Sequence, residues 1–375
     1  MKKKVAVLGA TGSIGKSALE VIVRERDNFE VVLLSAHSKA EQLAELGRLY
    51  PNAVTVHSGA AGGRESLLAA ISACGADITL NGISGAAGLE PSIAAIEAGS
   101  NLALANKETL VMAGELVLRR AREKNVSIIP VDSEHSALFH LIEAHGATHG
   151  ADTLDEIILT ASGGPFRNYP LQEMKKVSPR AALAHPTWNM GAKITIDSAS
   201  MANKGLEVIE AARLFNLPPE KIKVVVHPQS IVHSMIRMKN GELYAQLSRP
   251  DMRLPIHNAL CWPDAPSQAD SSGFGRLDFD SLTLEFYPPD TEKFPLLPLA
   301  YEAVKKGGLY PCAYNAANEA AVAAFLDNRL GFLDIGRITR YVLDRDWNKE
   351  PDTIASVMEA DSQARAIAEK EVEGK

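Results

Sequence analysis

Short apolar runs alternate with amphipathic segments through the first third of the chain. The runs have the length and composition of buried strands and lie at residues 4–8, 29–35, 53–57, 77–80, 101–105 and 126–131. Segments with helical spacing of apolar residues separate most of them, at residues 13–24, 39–49, 66–74, 89–99 and 107–124. The alternation predicts βαβ units that form an α/β fold with a doubly wound parallel sheet and helices on both faces.

The pattern changes after residue 131. A strand-like run at residues 156–161 leads into a Gly-Pro loop, and the irregular stretch 185–191 precedes a helix predicted from about residue 199 to residue 215. Two further runs, 231–238 and 242–247, flank Asn240-Gly241, which favours a hairpin because both residues tolerate positive φ. The middle of the chain is therefore predicted to be an α+β domain with antiparallel strands.

Beyond the hairpin the chain becomes rich in Pro, Asp and Ser, and residues 263–298 are predicted to be a linker. From residue 299 the pattern is mostly helical, with an Ala-rich segment at 316–326 and a charged one at 353–371. These changes predict three regions, at residues 1–131, 132–290 and 291–375.

Composition narrows the class of protein. The chain has 375 residues, of which 46% are hydrophobic and 23% charged, and this excludes a disordered protein. A formal net charge of −7 disfavours nucleic acid and anionic membranes as partners. The apolar run after Lys2-Lys3-Lys4 is too short for a signal peptide, and no apolar stretch reaches the roughly 18 residues of a membrane span. With only three scattered cysteines, we expect a soluble, cytoplasmic protein without a disulfide framework or zinc cluster.

A glycine-rich turn follows the first predicted strand and opens the first predicted helix. Its glycines are Gly9, Gly12 and Gly15, in the order G-x-x-G-x-x-G. The first suits a tight turn, the second lets a pyrophosphate approach the backbone, and the third permits close packing at the helix start. The helix amino terminus adds free N–H donors and partial positive charge. We expect a dinucleotide here, although a glycine-rich turn without a ligand has the same pattern.

The end of the second strand bears on the choice of dinucleotide. An NAD site usually has Asp or Glu here to bind the ribose 2′-hydroxyl, whereas this chain has His37, Ser38 and Lys39. Hydroxyl, imidazole and ammonium groups suit a 2′-phosphate, and the sequence favours NADP. The alternative is that Ser38 caps the next helix and that Lys39 is simply solvated.

Acidic residues with a possible metal-binding role occur in two places. Asp132 and Glu134 follow the sixth strand, where carboxylates two apart can converge on one cation. Asp132 or Ser133 would otherwise cap the helix predicted near residue 136. Later, Lys204 and Glu207 share one helical face with Asn203, and this face is either an exposed ion-pair stripe or part of a site for a phosphorylated, metal-bound substrate. An all-oxygen set of Asp132, Glu134 and Glu207 would suit Mg²⁺ or Mn²⁺.

These segments resemble the 1-deoxy-D-xylulose 5-phosphate reductoisomerase family of the non-mevalonate isoprenoid pathway. The matching blocks occur in the family's order across nearly the whole chain: GATGSIG (9–15), NKE (106–108), VDSEH (131–135), SGGPF (162–166), HPTWNMG (185–191), NKGLE (203–207), PDMRLPI (250–256) and YNAANE (314–319). The resemblance implies a Rossmann-like NADP domain, a catalytic domain with a mobile flap, a helical carboxyl-terminal domain and assembly as a homodimer. It further implies NADPH and one divalent cation, Mg²⁺ or Mn²⁺, as cofactors.

The resemblance also implies roles for individual residues. The expected cofactor contacts are Thr11, Gly12, Ser13, Ile14, His37, Ser38, Lys39, Asn106, Glu108 and Gly191. The expected metal ligands are Asp132, Glu134 and Glu207, which with Lys107 and His185 form the catalytic set. The expected substrate contacts are Lys107, Ser133, Glu134, Ser162, His185, Trp188, Met190, Ser198, Asn203, Lys204, Glu207 and Met252. Many family members have Gly-Lys-Asn or Gly-Arg-Asn where this chain has His37-Ser38-Lys39, which leaves the strength of its NADPH preference open.

The implied reaction rearranges 1-deoxy-D-xylulose 5-phosphate and then reduces it with NADPH to 2-C-methyl-D-erythritol 4-phosphate. Residue types alone leave other roles open, since Trp188, Met190 and Met252 are equally common as packing residues. Two rival functions are a semialdehyde-dehydrogenase-type NADP enzyme, which needs an activated cysteine, and a non-enzymatic NADP-responsive regulator.

Overall fold

The computed structural model describes residues 1–149, 153–185, 187–188, 190–264, 274 and 276–374. The chain forms two compact units that do not follow chain order. Unit 1 contains Met1–Thr109, Val117–Phe139 and Asp251–Leu277, and unit 2 contains Leu110–Leu116, His140–Pro250 and Asp278–Lys375. The division into domains at residues 1–131, 132–290 and 291–375 stays a prediction.

Unit 1 is built on a six-stranded sheet in which every pair of neighbouring strands is parallel. Its strands are β1 Lys3–Leu8, β2 Phe29–Ala36, β3 Val54–His57, β4 Ile78–Asn81, β5 Asn101–Leu104 and β6 Ile128–Pro130, in the order β3-β2-β1-β4-β5-β6. The predicted α/β fold with its doubly wound sheet is thereby confirmed. The strand order reverses direction at β1, so the carboxyl ends of β1 and β4 flank the crevice where such sheets bind ligands.

The helices of the amino-terminal region are α1 Ser13–Arg24, α2 Ala40–Leu49, α3 Gly63–Ala73, α4 Leu89–Glu97, α5 Lys107–Glu123 and α6 Ser133–His149. The face of α1 that carries Ala18, Val21 and Ile22 packs in one core with the sheet. Helix α11, Arg253–Cys261, comes from far along the chain and adds Ile256 and Leu260 to the same core. Burial of such side chains from water stabilises the sheet that carries the glycine-rich turn.

Unit 2 contains a four-stranded mixed sheet in the order β10-β9-β7-β8. Its strands are β7 Leu154–Ala161, β8 Ile222–Val226, β9 Val232–Met238 and β10 Leu243–Leu247. Strand β7 pairs parallel to β8 and antiparallel to β9, and β9 pairs antiparallel to β10. The hairpin predicted at Asn240-Gly241 is confirmed, with Gly241 at φ +92°. Strand β8 was not predicted.

The helix predicted from residue 199 to residue 215 is wrong at its start. Ala192–Ala199 forms a separate helix, α9, and α10 runs over Ala202–Leu214. Met201 between them has φ 60° and ψ 10°, a left-handed conformation that an α-helix cannot contain. The break turns the chain immediately after Ser198 and before Asn203.

The remaining helices of unit 2 are α7 Leu171–Met174, α8 Pro179–Ala182, α12 Leu296–Lys306, α13 Tyr310–Leu326, α14 Asp334–Leu343 and α15 Ile354–Glu373. The Ala-rich segment is buried within α13, as expected for a helix surrounded by others. A capping box between Thr353 and Ser356 begins α15. The predicted linker is wrong at both described ends, since Tyr287 bridges to Val226 and α12 begins at Leu296, while residues 265–273 and 275 lie outside the described residues.

Candidate active site

The glycine-rich turn between β1 and α1 has the geometry that the sequence predicts. Gly9 has φ +76°, and a Cβ there would lie 2.8 Å from the Gly82 carbonyl oxygen. A Cβ on Gly15 would lie 2.4 Å from the Gly9 oxygen, so no side chain fits where the helix start meets the turn. Gly12 begins α1 without a side-chain cap, which leaves the helix amino terminus suited to an anion. Thr11, Ser13 and Ile14 lie in the same turn.

The residues expected to contact a 2′-phosphate are all exposed just beyond β2. His37, Ser38 and Lys39 share this exposure, and His37 Nδ1 lies 3.5 Å from the Ser58 hydroxyl. Ser38 does not cap α2, because Lys39 is the N-cap residue and the helix has no side-chain cap. The three side chains are thus accessible to a charged ligand at this edge of the sheet.

Asn106 holds a buried polar network below the amino end of α5. Its Oδ1 accepts hydrogen bonds from the backbone and hydroxyl of Thr109, at 3.0 Å and 2.6 Å. Its Nδ2 lies 2.8 Å from the Ile83 oxygen, 2.9 Å from the Gly85 oxygen and 2.9 Å from Glu108 Oε2. Because the Asn106 amide is engaged inside the protein, its side chain orients Glu108 and the 83–85 loop.

Asp132 lies at the end of β6 and joins two structural roles. Its Oδ1 accepts a hydrogen bond from the Glu134 backbone at 3.0 Å, so it caps α6, which begins at Ser133 rather than near residue 136. Its Oδ2 lies 2.8 Å from Lys107 Nζ, and the Lys107 side chain is only 6% exposed. His135, fully buried, approaches Asp132 Oδ1 with its Nδ1 at 3.1 Å. Ser133 donates its hydroxyl hydrogen bond to Glu134.

The face of α10 predicted to carry chemistry is buried rather than an exposed stripe of ion pairs. Glu207 is 0% exposed and accepts a hydrogen bond from Asn203 Nδ2 at 2.6 Å. Lys204, also buried, forms an ion pair with the second oxygen of the same carboxylate. A buried carboxylate held by an amide and an ammonium is typical of a ligand or catalytic group.

A second polar cluster in unit 2 contains Ser162, His185 and Ser198. His185 Nε2 lies 3.2 Å from the Ser162 hydroxyl and 3.1 Å from the Ser198 hydroxyl. His185 Nδ1 accepts the backbone N–H groups of Thr187 and Trp188, at 3.1 Å and 2.9 Å. Since Nδ1 is an acceptor, the proton of the neutral ring is on Nε2, and burial lowers the pKa of His185 and favours that neutral form.

The residues around the predicted flap are partly described. Trp188 is half-buried, and its ring centroid lies 6.4 Å from that of His233. Gly191 is the N-cap residue of α9, and its carbonyl oxygen accepts the Thr195 hydroxyl at 2.8 Å. Met190 is half-buried, while Pro186 and Asn189 of the same motif lie outside the described residues. In unit 1, Met252 packs against the hydrophobic core, which fits its alternative role as a packing residue.

Some polar residues of these clusters were missed by sequence reasoning. His135 stands in the VDSEH motif, and Asp197 directly precedes Ser198, so both lie beside residues that were predicted. Lys193 Nζ lies 2.7 Å from Asp197 Oδ2, and Asn318 Nδ2 lies 2.8 Å from Asp197 Oδ1. The i, i+4 spacing of Lys193 and Asp197 was a usable signal, whereas nothing in the sequence reveals a partner 121 residues away.

The cysteines bear on the rival semialdehyde-dehydrogenase function. Burial raises the pKa of the Cys261 thiol to about 11 and raises that of Cys312 still further. Thiols with raised pKa values are poor nucleophiles at neutral pH. Neither is the activated cysteine that this chemistry requires.

None of the helices in the described part is both long and apolar enough to span a bilayer.

The fold and these residues define an α/β enzyme of the dinucleotide-binding class, with a carboxylate–lysine pair in each unit. A family model described as 1-deoxy-D-xylulose 5-phosphate reductoisomerase matches residues 5–62 and 52–114, and two carboxyl-terminal domain models of the same enzyme match residues 128–215 and 247–367. The reductoisomerase of Treponema denticola is 48% identical over 375 residues, covering 98% of this chain and 96% of its own. The chain belongs to the 1-deoxy-D-xylulose 5-phosphate reductoisomerase family.

Other relatives and solved structures agree over the same length. The reductoisomerase of Chlorobium chlorochromatii is 47% identical and covers 98% of both chains. The Zymomonas mobilis enzyme, solved in complex with NADPH, is 42% identical, with a TM-score of 0.89 and coverage of 100% of each chain. A DOX-P reductoisomerase solved with NADPH, fosmidomycin and magnesium is 35% identical, with a TM-score of 0.90 and coverage of 99% of this chain and 98% of its own. The family resemblance expected from the sequence is confirmed.

Proposed function

We propose that this protein converts 1-deoxy-D-xylulose 5-phosphate to 2-C-methyl-D-erythritol 4-phosphate with NADPH, as a step of non-mevalonate isoprenoid biosynthesis. The observation that carries the proposal is identity of 48% to a named reductoisomerase over 98% of the chain. A dinucleotide turn and a set of carboxylates are the groups that a metal-assisted reduction with NADPH needs.

For the cofactor, we propose that NADPH binds with its pyrophosphate at Thr11, Gly12, Ser13 and Ile14. The uncapped start of α1 supports this, since backbone N–H groups and the helix dipole favour phosphate there. We further propose His37, Ser38 and Lys39 for the 2′-phosphate, and Asn106, Glu108 and Gly191 for the rest of the cofactor. No carboxylate at the end of β2 repels a 2′-phosphate.

For the metal, we propose Asp132, Glu134 and Glu207 as ligands of Mg²⁺ or Mn²⁺. All three offer carboxylate oxygens, the donors that these hard cations prefer. In the described structure Lys107 forms an ion pair with Asp132, and Lys204 forms one with Glu207. When bound, the cation would polarise the substrate carbonyl and stabilise negative charge on its oxygens.

For the substrate, we propose that Ser162, Ser198, Asn203 and Lys204 bind the phosphate. His185 Nε2–H donates to the two serine oxygens, which leaves the serine O–H groups to donate to an anion. The same imidazole ring also accepts the backbone N–H of Trp188. A shift of His185 would therefore affect both the proposed phosphate site and the position of the flap. Lys107, Ser133, Met190 and Met252 complete the proposed contacts, with Lys107 Nζ donating a hydrogen bond to a substrate oxygen.

The first experiment is NADPH oxidation with 1-deoxy-D-xylulose 5-phosphate, with Mg²⁺ or Mn²⁺ and then with excess chelator. We expect substrate-dependent oxidation that the chelator abolishes. Oxidation unaffected by the chelator would support the reductase activity but contradict the assignment of metal ligands. Folded protein that oxidises neither NADPH nor NADH would reject the enzyme and favour the regulator.

We also propose that the protein forms a homodimer through residues 279–287, which end beside the edge strand β8. Their side chains Phe279, Leu284, Phe286 and Tyr287 are 70%, 37%, 43% and 49% exposed, and Tyr287 bridges to the edge strand β8 at Val226. Clustered apolar exposure of this kind is typical of an interface. Sedimentation equilibrium should give twice the chain mass for the unaltered protein and the mass of one chain for the double variant Phe279→Ser/Phe286→Ser. The control variant Val23→Ser changes an exposed apolar residue of unit 1 and should stay dimeric.

A cytoplasmic location is part of the proposal. Cys74, Cys261 and Cys312 are free thiols, as expected in a reducing compartment. Fractionation of source cells with an antibody to the protein would test it, and recovery outside the cytoplasm would reject it.

A further inference from the structure

We propose that Asn318 is a positioning residue that fixes Ser198 for substrate phosphate binding and that it acts through Asp197. The inference rests on the proposed function, because it takes Ser198 as part of the phosphate site. Asn318 Nδ2 donates a hydrogen bond to Asp197 Oδ1 at 2.8 Å. Both side chains are buried, Asn318 at 0% and Asp197 at 1% exposure.

Asp197 is a buried charge that needs more than one partner. It lies in the last turn of α9, and its Oδ2 is 2.7 Å from Lys193 Nζ one turn earlier. A carboxylate buried this deeply is tolerated only when it is both paired and hydrogen-bonded. Lys193 supplies the opposite charge within α9, whereas Asn318 supplies a donor from α13. The hydrogen bond therefore fixes the end of α9 against α13.

The end of α9 is also where the phosphate cluster is assembled. Ser198 Oγ lies 3.1 Å from His185 Nε2. A Cβ on Gly164, which has φ +63°, would lie 2.8 Å from the Ser198 carbonyl oxygen, so the loop after β7 touches the backbone of α9 directly. A shift of the end of α9 would move Ser198 relative to both His185 and this loop. Shifts of about 1 Å are enough to impair binding and catalysis strongly.

Asn315 offers a matched comparison on the same helix. It is 0% exposed like Asn318, and its Nδ2 donates to a different carboxylate, Glu319 Oε1, at 3.0 Å. Among the described residues, neither Asn315 Oδ1 nor Asn318 Oδ1 has a hydrogen-bond partner. The two amides thus share helix, burial and hydrogen-bonding state, and they differ in the carboxylate that each one holds.

The test compares Asn318→Leu with Asn315→Leu in the full-length protein with NADPH and Mg²⁺. Four quantities are measured: KM for substrate, KM for NADPH, the inhibition constant of inorganic phosphate against substrate, and the melting temperature. For Asn318→Leu we expect the substrate KM and the phosphate inhibition constant to rise about tenfold or more, with the NADPH KM within about twofold. For Asn315→Leu we expect a lower melting temperature with all three constants within about twofold.

A swap variant separates positioning from simple loss of stability. In Asp197→Asn/Asn318→Asp the donor and acceptor exchange places, so the hydrogen bond between α9 and α13 is retained while the carboxylate moves to α13. We expect the swap to recover most of the substrate affinity that Asn318→Leu or Asn318→Asp alone loses. Equal effects of the two leucine variants, an equal rise in both KM values, or no recovery by the swap would overturn the proposal. Absence of turnover in the unaltered protein would instead reject the proposed function.

Discussion

At the scale of single residues, Glu207 gives the sharpest test of the proposed metal site. Glu207→Gln keeps the size of the side chain but removes the charge that faces Lys204 and any bound cation. We expect the turnover number to fall by about two orders of magnitude or more. The measurement is steady-state NADPH oxidation across a titration of Mg²⁺.

Glu210→Gln is the matched control for this change, because Glu210 lies on the same helix and is 1% exposed. It should keep turnover within a few-fold, about the effect of a change outside the site. If Glu207→Gln retains activity as Glu210→Gln does, the assignment of Glu207 as a metal ligand fails. If both lose activity together with the fold, circular dichroism will reveal a structural cause.

The Asp132 side chain caps α6 and is also a proposed metal ligand, and two substitutions separate these roles. Asp132→Asn retains an oxygen for the Glu134 backbone N–H, whereas Asp132→Ala does not. We expect both to weaken cation affinity at least about tenfold, as lost carboxylate ligands do. Only the alanine variant should lose a further ~1 kcal/mol of folding stability for the missing cap.

Isothermal titration with Mn²⁺ and urea unfolding measure these two effects independently. The contrary outcome is a cation affinity that stays unchanged in Asp132→Asn while stability collapses. That would assign Asp132 to its pairing with Lys107 rather than to a metal.

At the scale of elements, the loop after β7 depends on a glycine that no other residue can replace. Gly164 has φ +63°, and an added Cβ would meet the Ser198 backbone, so Gly164→Ala must separate the loop from α9. Gly241 also has positive φ, at +92°, but nothing lies within 4 Å of its added Cβ. Both alanine variants should lose about 1 kcal/mol of stability from backbone strain.

Only Gly164→Ala should also raise the substrate KM, by about tenfold, because it displaces the proposed phosphate contacts. Substrate kinetics and urea unfolding of the two variants measure this difference. A normal KM in Gly164→Ala would mean that the loop does not contribute to the phosphate site.

The same elements show how far the sequence predicts the structure. The strands of the parallel sheet and the hairpin at Asn240-Gly241 follow from local periodicity and turn chemistry, and their bounds match within a few residues. The start of α10 could not be predicted in this way, because Met201 adopts a left-handed conformation that Met does not intrinsically favour. Strand β8, a short β-branched segment, is fixed by its pairing with β7 rather than by its own pattern.

The candidate site divides in the same way. Residues in motifs, such as Asp132 and Glu207, could be proposed from the sequence because chemistry and spacing coincide. Asp197 and Asn318 were not, because their hydrogen bond joins helices 121 residues apart in sequence. Likewise, the burial of the α10 face that decides between an ion-pair stripe and a site is a tertiary property.

At the scale of the whole molecule, histidines make folding stability depend on pH. Burial lowers the pKa values of His140, His185, His227 and His257 below the ordinary value of 6.5. In the folded protein His227 Nε2 also accepts the backbone N–H groups of Ile231 and Val232, at 3.2 Å and 3.1 Å, and it loses both if it is protonated.

Because the unfolded chain binds these protons more readily than the folded protein, stability rises with pH through this range. The contribution of the four histidines is complete above pH 6.5 and decreases as the pH falls from 6.5 through their lowered pKa values. Urea unfolding at about pH 7.5, 6.5 and 5.5 should show a lower midpoint at the most acidic pH with an unchanged denaturant dependence. His227→Gln should flatten part of this slope, since it removes one of the groups. A midpoint that is constant or higher at pH 5.5 would mean that folding does not lower the pKa values of these rings.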